Sequence, residues 1–377
     1  MNYKRMPIEI ESPEEMGYST IRYNLAESSV RDLPFSELNV DLSNIILAYG
    51  EHRGAATLRA LITEGSPNFE IDDVLVTTGA VMSLFLIATT LLEKTDHIVV
   101  IRPNYATNLE TPRAIGCEMT ILDLAFDDNF SINTEGVRLA LKPNTKIISL
   151  TNPHNPTGKL FSQETILAII KIAEEHGCYV IVDETYRDLN FQTPLLPYMA
   201  THSERVISVC SMSKAFGAPG IRTGWLICRD KALMYTLLAA KEQMILGNSI
   251  IDEAIAEHLL AQKATFLEPI HAHIRTNFAY MKSWMAQQTL LDWVEPEAGV
   301  VCFPRLKDGL TLDFPRFKDT LYNACQTVVG YGHWFEQGER YFRIGFGYPS
   351  MADLVEGLRR FETSLKQHVQ RNAVPLT

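Results

Sequence analysis

Residues 146–186 read KIISLTNPHNPTGKLFSQETILAIIKIAEEHGCYVIVDETY, and this stretch sets the fold class. Lys146–Leu150 is short, rich in isoleucine and not alternating, the pattern of a strand buried on both faces. A turn rich in Pro and Asn follows, Thr151 to Gly158. Then comes a helical stretch, Gln163–His176, with Ser162 placed as its N-cap and Gly177 as its C-cap. Tyr179–Val182 repeats the strand pattern. Strand, helix and strand in this order form the unit of a mostly parallel α/β sheet, because parallel neighbours need a crossover between them.

Outward from this unit the same kind of run recurs at Val74–Thr77, His97–Ile101, Met119–Leu122, Val206–Val209 and Trp225–Cys228. Helical stretches such as Ser83–Leu92 and Asn133–Leu141 lie between them. From about Ala261 the pattern changes. A long helical periodicity covers Phe266–Gln288, strand-rich pieces follow at Gly299–Pro304 and Tyr341–Phe346, and a last helix covers Met351–His368. The expectation is a large α/β domain over 45–265. A smaller α+β domain would be made from 1–44 and 266–377.

The chain has 377 residues and is 46% hydrophobic, ample for a large core. Its net charge of −11 argues against general nucleic-acid binding, which needs a basic face. The cysteines at 117, 178, 210, 228, 302 and 325 form no CxxC, and none joins a histidine at zinc-ligand spacing, so no metal site is expected. They read as reduced thiols. Met1–Glu11 holds no signal-peptide core, and the longest apolar stretch, Val81–Leu92, is too short to span a bilayer. A soluble, cytoplasmic protein without membrane partners is expected.

Ligands of open α/β sheets bind at the carboxyl ends of the strands. After Lys146–Leu150 comes Thr151-Asn152-Pro153-His154-Asn155-Pro156-Thr157-Gly158. After Tyr179–Val182 comes Asp183-Glu184-Thr185-Tyr186. After Val206–Val209 come Cys210-Ser211-Met212-Ser213-Lys214 and then Gly217, Gly220, Arg222 and Gly224. After Val74–Thr77, Thr78-Gly79-Ala80 opens a helix. Taken singly, each has an ordinary reading: a lysine at a strand end is commonly solvated, an aspartate there commonly caps a helix, and NPxNPTG serves as a turn. The ordered combination is far more specific.

On these motifs the chain resembles the class I/II aminotransferases of the aspartate-aminotransferase fold. The resemblance runs from Tyr49-Gly50 to Arg343. It implies a seven-stranded, mostly parallel sheet between helices and a homodimer with active sites at the subunit boundary. It also implies pyridoxal 5'-phosphate as cofactor, held by Lys214 as a Schiff base, with the released lysine acting as base. Asp183 would face the pyridine nitrogen. Opposite charges ~4 Å apart attract by roughly 4 kcal/mol at an effective dielectric of 20, which keeps that nitrogen protonated. Tyr186 and Asn155 would hydrogen-bond the ring oxygen, and Tyr105 would stack on the ring.

The same resemblance assigns the phosphate to the helix start at Gly79, Ala80 and Val81, to Ser211 and Ser213, and to the Arg222 fork. Tyr49 would reach the neighbouring subunit's phosphate. Arg343 would take the substrate α-carboxylate, with Asn155 and Ala26 beside it. Two departures stand out. Val81 replaces a residue that is usually polar. Ala26 and Glu27, in Asn24-Leu25-Ala26-Glu27-Ser28, occupy a segment that is Gly-rich in many relatives.

The reaction implied is transfer of an amino group from an L-amino acid to a 2-oxo acid. A lyase, a decarboxylase or an amino-acid cyclase of the capreomycidine-synthase kind would use the same cofactor residues. Two further classes fit less well. A cofactor-sensing transcription regulator would add a DNA-binding module and a basic surface. A dinucleotide-binding domain would need a better glycine motif than Gly217–Gly220.

Overall fold

The computed structural model describes residues 1–66 and 68–371, so the tail 372–377 of the expected smaller domain lies outside the described residues. The seven apolar runs form one sheet. Its order is Val74–Thr77, Gly224–Cys228, Val206–Ser211, Tyr179–Asp183, Thr145–Thr151, His97–Arg102, Glu118–Asp123. Gly224–Cys228 is antiparallel to both neighbours, and every other pairing is parallel.

The lack of alternation in these runs has a direct cause. Successive side chains point to opposite faces, and both faces are covered, less completely at the half-exposed edge strand Glu118–Asp123. Ile148, Val180, Val182 and Val99 belong to one apolar cluster, while Ile147, Ile181, Ile98 and Val100 belong to another. The helix Gln163–His176 shows how the cover is built. Ser162 Oγ accepts from the Thr165 amide at 3.2 Å, and Gly177 ends the helix at φ 86°. Ile166, Ile169, Ile170 and Ala173 are buried, one helical face turned inward.

A second sheet draws strands from both ends of the chain, in the order Tyr23–Leu25, Thr327–Tyr331, Phe342–Gly345, Val301–Cys302. Thr327–Tyr331 is buried throughout and was not among the expected strands, although its Thr-Val-Val start carries β-branched residues. The expected run Gly299–Pro304 shortens to Val301–Cys302. Gly299 sits at φ 74°, outside strand geometry, and Pro304 has no N–H to continue a ladder. Phe317, Phe342 and Phe361 pack edge to face between this sheet and the last helix, Met351–His368. No helix among the described residues is long and apolar enough to cross a membrane.

Register brings the motifs to one rim. Thr151 pairs with Asp183, and Asp183 with Val209. Ser211 pairs with Gly224, which also pairs with Thr77. The loops leaving Thr151, Asp183 and Ser211 and the helix leaving Thr77 therefore surround one opening.

Candidate active site

That opening is a cavity of about 330 Å³, within the range of small-molecule sites. Asp183 stands at the end of its strand, 5% exposed. Thr185 turns back on it: its amide donates to Oδ1 at 3.0 Å and its hydroxyl at 2.5 Å. Among the described residues nothing donates to the other oxygen, although Asp183 lines the cavity. Burial holds the carboxyl above its ordinary value, more than Thr185 and Lys214 lower it. A cation set against that oxygen would reverse the shift.

Lys214 Nζ donates to Ser28 Oγ at 3.2 Å and lies 3.7 Å from Glu27 Oε1. The Tyr186 hydroxyl donates to the same Ser28 oxygen at 3.1 Å. Burial pushes the lysine's pKa down, but Tyr186 and Glu27 outweigh it, and the net direction is up.

One corner is made for an anion. The helix Ala80–Leu91 starts after Gly79, whose φ is 78°. A Cβ on Gly79 would lie 2.6 Å from Arg222 Nη2, so the guanidinium rests against a bare helix start. A Cβ on Gly224 would lie 2.6 Å from the Ala80 nitrogen, so the strand beneath can approach only as glycine. The first amides of a helix have no acceptor within it and attract negative charge. The Ser211 and Ser213 hydroxyls, 2.6 Å apart, line the same cavity.

Arg343 lines the cavity from the second sheet, 4% exposed. Nη1 donates to Asn155 Oδ1 at 3.2 Å and Nη2 to the Ala26 carbonyl at 2.6 Å. Its Nε has no partner among the described residues. Burial pulls this guanidinium below its ordinary value. Since Ala26 contributes a carbonyl, the missing glycine at this position leaves the contact intact. The Tyr105 hydroxyl donates to Glu9 Oε1 at 2.9 Å.

The cavity thus gathers Ala26, Ala80, Val81, Tyr105, Asn155, Asp183, Tyr186, Ser211, Ser213, Lys214, Arg222 and Arg343, all expected from sequence. Gly79 lies behind Arg222. Tyr49 is not brought in: it is 88% exposed and borders a separate groove with Leu47 and Leu246. Sequence reading missed Thr185, Ser28, the Glu27 pairing and the roof. The Asp-x-Thr spacing was a readable signal for Thr185. The roof consists of the four-residue helices Pro7–Ile10 and Pro13–Met16, which bring Glu9 and Glu14, together with Trp334. Glu11 ties it down by accepting from Trp334 Nε1 at 2.7 Å, His333 Nε2 at 2.8 Å and Lys318 Nζ at 2.5 Å. Against the opposing effect of burial, these bonds hold its carboxyl down at about 2.

The family model for aminotransferase class I and II matches residues 37–361. The chain belongs to this aminotransferase family. Its relatives include the capreomycidine synthase of Streptomyces vinaceus, 24% identical over 94% of this chain and 92% of that protein. The aspartate aminotransferase of Pyrococcus horikoshii is 24% identical over 84% of this chain and 83% of its own length. A solved structure, a PLP-dependent aminotransferase from Streptococcus suis, matches with a TM-score of 0.89 at 23% identity, covering 99% of this chain and 100% of that one. The cofactor of this aminotransferase-family enzyme is pyridoxal phosphate, and the cavity fits it. An anion corner, an unpaired buried carboxylate oxygen and a lysine amine answer its phosphate, ring nitrogen and aldehyde.

Proposed function

We propose that the chain is a transaminase that moves the amino group of an L-amino acid to a 2-oxo acid. The supporting observation is Lys214: its amine, held by Ser28, lines the same cavity as the buried Asp183 carboxylate and the buried Arg343 guanidinium. When bound, pyridoxal phosphate supplies an electron sink for the substrate's Cα. The Lys214 amine would hold the cofactor covalently and, when released, would carry the Cα proton as general base. Asp183 keeps the ring nitrogen protonated through its free oxygen. Arg222, Ser211, Ser213 and the amides at Gly79–Val81 hold the phosphate. Tyr186 and Asn155 would serve the ring oxygen, and Tyr105, its hydroxyl anchored on Glu9, would support the ring. Arg343 binds the α-carboxylate with a fork already oriented by Asn155 and the Ala26 carbonyl.

A half-reaction with amino donor alone tests this. A transaminase accumulates one pyridoxamine phosphate per site. Substrate consumed with the cofactor's aldehyde form retained overturns the reading. The second reading is then the one to pursue: an amino-acid cyclase, favoured by the 94% coverage in the match to capreomycidine synthase, ahead of a lyase or decarboxylase.

The same proposal includes a homodimer, a cytoplasmic location and the domain division into 45–265 against 1–44 with 266–377. Strands contributed to one sheet by both chain ends support the division. Ile46, Leu47, Tyr49 and Leu246 are 81%, 78%, 88% and 43% exposed, apolar surface of the kind subunits cover. An active monomer by light scattering would overturn the dimer.

A further inference from the structure

We infer that the substrate carries a cation at the end of its side chain, a guanidinium or an ammonium. The inference rests on the amino-acid reading above and deepens it.

The charges of the cavity divide unevenly. Arg222 faces the anion corner, Asp183 the ring nitrogen, Arg343 the α-carboxylate and Lys214 the reacting carbonyl. No other lysine or arginine lines the cavity, yet Glu9, Glu14 and Glu27 do. Glu9 is occupied by the Tyr105 hydroxyl. Glu27 is different: its side chain is 14% exposed and oriented by the Ser28 amide, which donates to Oε1 at 3.0 Å. Among the described residues its one cation within 4 Å is Lys214 Nζ, at 3.7 Å.

That partner is temporary. Covalent attachment to the cofactor's aldehyde would consume the free ammonium of Lys214 that faces Glu27, because an amine attacks a carbonyl in its neutral form. A nearly buried carboxylate would then have no cation in contact, with only the more distant field of Arg343 acting on it, which is costly. A cation at the far end of the substrate would restore the pair. Neighbouring groups register the same acidic field. Burial, then Glu27 and Glu14, hold the Asp32 carboxyl above its ordinary value, and the Tyr18 phenol is raised by burial, Glu14, Glu27 and Asp32.

The acidic side chains do not stand alone as a sign of a ligand. Arg343, 4% exposed and with Nε unpartnered, faces the same cavity and calls for a carboxylate. Carboxylate at Arg343 and cation at Glu27 and Glu14 together fix a basic amino acid at both ends. A second carboxylate, as in glutamate or 2-oxoglutarate, would meet Glu27 and Glu14 instead.

The test uses the holoenzyme and follows cofactor absorbance during titration with L-arginine, L-citrulline, L-lysine, L-norleucine and L-glutamate. Citrulline and norleucine are the uncharged counterparts of arginine and lysine. One charge-assisted contact corresponds to about 10- to 100-fold in affinity, so arginine should exceed citrulline, or lysine norleucine, by that factor. Glutamate should bind weakest. In Glu27→Gln and in Glu14→Gln the charged-to-neutral ratio should fall toward one. The ratio is read within each variant, so a shared loss of cofactor or folding cancels. Equal binding of charged and neutral members in the wild type, or an unchanged ratio in both variants, overturns the inference while leaving the amino-acid reading standing. Silence toward all five overturns that reading itself, and the inference with it.

Discussion

The two walls of the cavity are built differently. Asp183, Ser211, Lys214 and Arg222 stand at or just beyond the ends of strands locked in register within a sheet covered on both faces. Glu9, Glu14 and Glu27 stand on two four-residue helices and beside a three-residue strand. Helices that short do not persist alone. They are positioned by individual side chains: Glu11 on Trp334, His333 and Lys318, and Glu9 on Tyr105. The first wall gives the chemistry common to the family, on a scaffold that tolerates little change. The second can be rewritten locally.

Lys214→Ala should break the first wall's chemistry without touching its frame. Loss of the nucleophile and base should lower turnover by about 10⁴-fold, with the fold kept intact. Borohydride reduction followed by mass spectrometry checks the assignment, and a reducible bond to the cofactor surviving in the variant would refute it. Arg343→Lys probes the seam between the walls. The charge remains but the fork is lost, so KM should rise about 10- to 100-fold while cofactor content stays constant. Cofactor loss at unaltered KM would move Arg343 to the other wall.

Glu11→Gln loosens the second wall alone, with the smallest effect. The folded carboxyl sits at about 2 against an ordinary 4.5, so its contribution is complete above pH 4.5 and disappears as pH falls toward 2. Allowing for solvent screening, it should stabilise the protein by about 1 kcal/mol at pH 7. Thermal melts should show a wild-type advantage at pH 7 that narrows by pH 3. An advantage that grows on acidification would contradict the sign.

Sequence disclosed the first wall almost completely. Each of the seven runs became a strand whose ends shifted by at most two residues, and in all but the half-exposed edge strand Glu118–Asp123 burial on both faces leaves an apolar signature that turns and polar strand ends interrupt. The chemistry-bearing residues follow those ends directly. The second wall was hidden for a physical reason. Ser28 meets Lys214, and Glu11 meets Trp334, across long sequence separations, and no periodicity encodes which distant side chains will touch. Helices of four residues carry too few turns for an amphipathic pattern. Thr327–Tyr331 pairs with Tyr23–Leu25 from the other end of the chain, a partnership equally absent from local spacing.

Strand order also sets the timetable of assembly. Val74–Thr77 is an edge strand whose one neighbour in the sheet is Gly224–Cys228. The helix start that follows it is synthesised early, yet Gly224, the residue that lies directly against it, leaves the ribosome much later. Arg222, which closes over Gly79, arrives only just before Gly224. Long-range pairing of this kind forms late. A nascent chain stopped before Gly224 would already contain Asp183, Ser211, Ser213, Lys214 and Arg222, but not the strand that seats the helix start at Gly79 beside them.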